Sequence, residues 1–164
     1  MKRGALTGGI ILLSLVIQSA FFRFIEIRGI KPDLLLIVII SFTLIRGESK
    51  SGAVRGSILG ISAGFIQDLL YSDILGLNAL SKFLTGLLVG YSSQNVFKGN
   101  IIIPFIITFL ATVFNGFIYY IALIVISIYI PFKPLALQVF YEAVYNTVLS
   151  VFVYIGLKKL EELV

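Results

Sequence analysis

The stretch Arg55–Leu70, RGSILGISAGFIQDLL, decides how the rest of the chain is read. It is apolar enough to sit in a membrane, yet Gly56, Gly60 and Gly64 recur every fourth residue and Asp68 takes the next step. Residues four apart share one face of a helix, about 6 Å further along its axis and drifting about 40° around it. Each glycine removes a Cβ and opens a groove in which another backbone can approach closely. Gly52 extends the stripe one step back. Two questions follow: what fills the groove, and what neutralises the carboxylate at its end.

The surrounding composition fits a membrane setting. Of 164 residues, 59% are hydrophobic and 13% charged, too few to wet the surface of a soluble domain. The mean hydropathy is +1.06. The net charge of +5 comes from basic residues that punctuate apolar runs, which suits a topological role rather than nucleic-acid binding. There is no cysteine and no histidine. Disulfides, thiolate or imidazole metal sites, His-dependent triads and His pH switches are therefore excluded, and no metal or cofactor is expected. Gly47, Gly52 and Gly56 lack the spacing and the Lys-Ser/Thr ending of a phosphate loop.

Six apolar segments lie at about 5–22, 33–46, 53–70, 77–95, 101–129 and 135–157. They lack two-residue alternation and exceed the roughly 10-residue strands of a membrane barrel, so helices that satisfy their own backbone are predicted. The fold class is all-α: a polytopic membrane protein of about six transmembrane helices in one compact bundle, with residues 1–164 as a single integral membrane domain. The first segment has a basic start, but Gln18 is a poor fit at −3 of a cleavage site, so it reads as an uncleaved span. The second, between Lys31-Pro32-Asp33 and Arg46-Gly47-Glu48, is either a tight span or a re-entrant piece. With the N-terminus inside, Lys2, Arg3, Arg46, Lys50, Arg55, Lys98, Lys158 and Lys159 fall inside, against Arg23, Arg28, Lys31 and Lys133 outside. That balance places both termini in the cytoplasm. Phe21, Phe22, Phe24, Tyr129 and Phe132 read as interfacial belts.

Polar residues gather toward one end. The fourth segment carries Asn78, Lys82, Gly86, Gly90 and Gln94 at four-residue steps, and the sixth carries Gln138, Glu142, Asn146 and Ser150. A mid-membrane charge costs at least about 2.5–3.5 kcal/mol. Lys82 is therefore expected either to pair with Asp68 or to snorkel to the headgroups. Glu142 has no basic neighbour at helical spacing and needs a partner such as Lys82, Lys133 or a bound molecule. Asp33, Gln67, Asp68, Asn78, Lys82, Gln138 and Glu142, with Gln18, Asn115 and the Tyr119-Tyr120 pair beside them, fit an outward polar cup. Separate interhelical hydrogen bonds are the alternative. The glycine groove, Gly52, Gly56, Gly60, Gly64, Gly86 and Gly90, fits either packing within the chain or a partner's helix.

The run from Lys31 to Tyr91 resembles the family of the rod shape-determining protein MreD. The matching features are Pro32 and Asp33 opening an apolar helix, Gly56, Gly60, Gly64 and Asp68, then Gly76 and Leu77, and Gly86 before Tyr91. The resemblance implies a non-enzymatic bacterial inner-membrane protein of cell elongation. It implies partnership with the single-span MreC, and work alongside MreB, RodA and a penicillin-binding synthase in peptidoglycan synthesis. It also implies a likeness to the substrate-binding subunits of energy-coupling-factor transporters, small six-helix proteins with an outward cavity. Three functions are weighed: a scaffold whose groove takes the MreC helix; a solute-binding transporter subunit using the cup; and a lipid enzyme using Asp68, Lys82 and Glu142 as acid–base groups. No nucleophile beside a base supports the last, and no docking face for an energising partner supports the second.

Overall fold

The computed structural model describes residues 2–20, 29–46, 51–93 and 102–163. Among them are six helices and no strand: α1 (Lys2–Ala20), α2 (Leu34–Arg46), α3 (Gly52–Tyr71), α4 (Leu77–Ser92), α5 (Ile102–Val125) and α6 (Phe132–Glu162). Arg23, Arg28, Gly47, Glu48, Lys50, Lys98, Phe21, Phe22, Phe24 and Gln94, and the side chains of Lys2 and Arg3, lie outside the described residues.

Helix α2 is the hub. Its sequence, LLLIVIISFTLIR, is apolar all round, and such a helix has no face to offer water. Every residue from Leu35 to Leu44 is buried, and α2 packs against each of the other five helices. Its faces feed three apolar clusters. Leu35 and Ile39 meet Ile11 and Leu15 of α1 and Ala63 of α3. Leu36, Ile40 and Leu44 meet Val89 of α4 and Ala111 of α5. Val38 and Phe42 meet Leu157 of α6. Asp33 starts the helix as its N-cap, its carboxylate accepting from the Leu36 N–H at 3.0 Å.

The glycine groove is filled from within. A Cβ built on Gly56, Gly60 or Gly64 would land on the backbone carbonyl of Gly86, Lys82 or Asn78 of α4. Reciprocally, one on Gly86 or Gly90 would land on the carbonyl of Gly56 or Gly52. Helices α3 and α4 therefore touch backbone to backbone along their length. Of the two packings the stripe allowed, the structure has the one within the chain: the face of Gly52, Gly56, Gly60, Gly64, Gly86 and Gly90 is where α3 and α4 meet. Helices this close need a short reversal, and Gly76 supplies it at φ 96°, a conformation that side chains resist.

The fifth helix stops short of the expected 129. Ser127 adopts φ 63°, and the N–H groups of Ser127 and Ile128 turn back to the carbonyls of Ile124 and Leu123. This Schellman arrangement satisfies the last carbonyls and ends the helix. Pro131 then precedes α6. By length and composition α5 and α6 can each cross a membrane, and the apolar helical runs Leu6–Ala20 and Leu34–Arg46 are shorter. Leu12, Leu13, Val16, Leu110, Phe117 and Phe152 stand exposed on the outer faces of α1, α5 and α6, as lipid-facing side chains do.

Candidate functional site

At the end of the bundle where α1 and α3 finish and α2, α4 and α6 begin, a cavity of about 470 Å³ opens. Gln18, Asp33, Gln67, Asn78, Asn115, Tyr119, Gln138 and Glu142 supply its polar wall, with Lys31 and Pro134 also bordering it. Five of the seven expected cup residues thus converge: Asp33, Gln67, Asn78, Gln138 and Glu142. Asp68 and Lys82 are not on the wall; they are 1% and 0% exposed and sit behind it.

The expected Asp68–Lys82 pair is replaced by another. Lys82 Nζ lies 2.6 Å from the Asp33 carboxylate and 3.5 Å from Asn78 Oδ1. It does not snorkel. Asp68 instead accepts from the N–H groups of Gly76, Asn78 and Ala79 and from Asn78 Nδ2, at 2.9–3.1 Å. The physical reason is the α3–α4 turn. It brings the unsatisfied N–H groups at the start of α4 onto the last turn of α3, and a carboxylate there serves helix donors and dipole together. Lys82, one turn further along α4, faces α2 and meets the carboxylate that opens that helix.

The network continues through Gln18 and Asn115, which the sequence set beside those seven, and through Thr85, Thr112 and Asn146, which it did not assign to the cup. The Asp33 N–H donates to Asn146 Oδ1 at 2.8 Å, and Asn146 Nδ2 donates to Thr112 at 3.3 Å. Thr85 donates to Asn115 Oδ1 at 3.4 Å, and the Leu35 N–H donates to Gln18 Oε1 at 3.1 Å. Buried polar groups are thus linked from α1 to α6. Asn146 was visible as one step beyond Glu142 in the polar row of α6; only the fold shows that it points to the start of α2.

What remains open faces the cavity. Gln67 Oε1 is buried without a hydrogen-bond partner among the described residues. Glu142 makes no hydrogen bond or ion pair with the described residues, since Lys82 is held by Asp33. The wall is therefore rich in acceptors and suited to a polar, donor-bearing occupant. Of the three candidate acid–base groups, Asp68 and Lys82 are committed to structural partners and only Glu142 faces the space. Among the described residues, no group of acidic side chains is arranged to hold a metal ion.

No curated protein and no solved structure matches the chain. A family model described as rod shape-determining protein MreD matches residues 4–160, a range that takes in nearly all of every helix from α1 to α6. With so nearly complete a match, the chain belongs to the MreD family of membrane proteins, whose role is in rod shape determination.

Proposed function

We propose that this protein is a non-enzymatic, multi-pass scaffold of the cell-elongation machinery in the bacterial inner membrane. It binds an MreC-like single-span protein and so supports peptidoglycan synthesis by a RodA-type synthase and its penicillin-binding partner. The family match over residues 4–160 carries this reading. All six helices cross the bilayer as one domain. Helix α2, with 13 residues, is about 20 Å long against a hydrocarbon core of about 30 Å. Its burial on every side makes that length tolerable, because non-helical backbone at membrane depth is stable where protein surrounds it. Arg46, Arg55, Lys158 and Lys159 gather at one end and the cup opens at the other. Basic residues favour the cytoplasmic side, so both termini face the cytoplasm and the cup faces outward. Since α4 occupies the glycine groove, the partner's helix lies on the outer surface of the bundle. The cup receives the partner's extracytoplasmic segment or a lipid-linked group.

The test is copurification with a tagged MreC-like protein. Gln138→Trp, which fills the cup, is expected to reduce recovery of the partner at least about tenfold while the variant still folds. Full recovery removes the cup from the interface, and no recovery by the unmodified protein removes the scaffold reading. Gln67 and Glu142, unpaired among the described residues, favour a second reading, a solute-binding transporter subunit of the energy-coupling-factor kind. A small molecule released at one-to-one stoichiometry when the purified protein is denatured would select it.

A further inference from the structure

A second cavity, about 360 Å³, lies at the opposite end from the cup, between α1, α2 and α3. It exists because α1 and α3 both pack on α2 but scarcely on each other. Its walls are Ile11, Phe42, Ile58 and Leu59, and Gly8 opens onto it with nothing within 4 Å of the position a Cβ would take. Two guanidinium groups border it. Arg46 is fixed there: it donates to Thr7 at 2.8 Å, pairs with Glu161 and stacks 4.7 Å above the Phe42 ring. Its Nε is nevertheless buried without an acceptor among the described residues. Arg55 is exposed and meets no carboxylate among the described residues. The cavity is too small for a helix, which is about 10 Å across with its side chains. It is within the range of small-ligand pockets.

We infer that this groove is a binding site for an anionic phospholipid, its acyl chain lying against Gly8, Ile11, Ile58 and Leu59 and its phosphate on the exposed Arg55, at the rim beside Arg46. An apolar slot with an unneutralised guanidinium, Arg55, at its rim is complementary to that molecule and to few others in a bilayer. The charges point the same way, because Lys158 and Lys159 stand exposed near Glu161 at this end. The inference requires that the chain be embedded in a bilayer, and does not depend on the partner or on what the cup holds.

The probe is palmitoyl-oleoyl phosphatidylglycerol, with phosphatidylethanolamine of the same chains as competitor, scored by native mass spectrometry of the purified protein. One unneutralised arginine near a headgroup is worth about fivefold in binding. Phosphatidylglycerol should therefore be retained about fivefold over the competitor, and Arg55→Gln should bring that ratio near one. Gly8→Leu places its Cβ in open space and its side chain in the slot, and should displace both lipids without lowering the thermal midpoint in detergent. Equal retention of the two lipids overturns the inference, as does a preference that survives both substitutions. A photo-cross-linker at Ile58 separates the occupants: a phospholipid adduct supports the site, and capture of a second copy or another protein's helix in its place overturns it.

Discussion

The decisive residues are three charges that the sequence places 35 and 14 positions apart along the chain and the fold sorts into two separate jobs. Lys82 is fully buried and finds Asp33, while Asp68 is satisfied by the start of α4. Removing one member of a buried pair strands the other and costs about 3–5 kcal/mol, whereas removing both together is often close to neutral. Lys82→Met and Asp33→Asn should each destabilise by that amount, and the double variant should recover most of the loss, read as the midpoint of reversible unfolding in mixed micelles. The same cycle on Asp68 and Lys82 should show the weaker coupling, because the link between the two groups runs through Asn78 rather than by direct contact. An Asp68–Lys82 coupling as large as that of Asp33–Lys82 would contradict the assignment. Helical spacing exposes local partners and nothing else, so Asp33 could be read as a cap residue beside Pro32 but not as the counter-ion of Lys82.

At the scale of helices, the glycine register was legible as a close approach of backbones, and the structure shows that approach between α3 and α4. The identity of the second helix was not legible, because a groove has the same sequence signature whether filled from inside or outside. The sign of a Gly→Ala change now depends on position. Gly60→Ala would set a Cβ on the Lys82 carbonyl, forcing the helices apart at a cost of about 1–3 kcal/mol. Gly8→Ala meets open space and should gain up to about 1 kcal/mol from helix propensity. Equal effects at the two positions in the same unfolding assay would mean that α3 and α4 do not touch. The early end of α5 was hidden for a different reason: Ser127 carries no glycine's signature, yet it holds a left-handed conformation. Ser127→Gly should therefore stabilise by about 1 kcal/mol, and a loss of stability there would show that its side chain contributes more than its backbone strain costs.

For the whole molecule the question is which side of the membrane each end of the bundle faces, and the chain is well suited to answer it because it contains no cysteine. Lys31, Asp73 and Lys133 are exposed at the cup end, near the starts of α2, α4 and α6, and Lys159 is exposed at the other. If all six helices cross, single cysteines at the first three positions must share one side despite standing at the starts of three different helices or the turns before them. A maleimide that cannot cross the membrane should label Lys31→Cys, Asp73→Cys and Lys133→Cys on intact spheroplasts. It should label Lys159→Cys only after permeabilisation. The short helix α2 makes this a sharp test, since a re-entrant α2 that returned to the outside would put position 73 on the cytoplasmic side while leaving position 31 where it is. Lys31 and Asp73 labelled from opposite sides would thus break the six-span bundle at α2, and all four positions reversed would keep the bundle but turn the cup toward the cytoplasm. The second outcome would remove the extracytoplasmic segment of a single-span partner as its occupant.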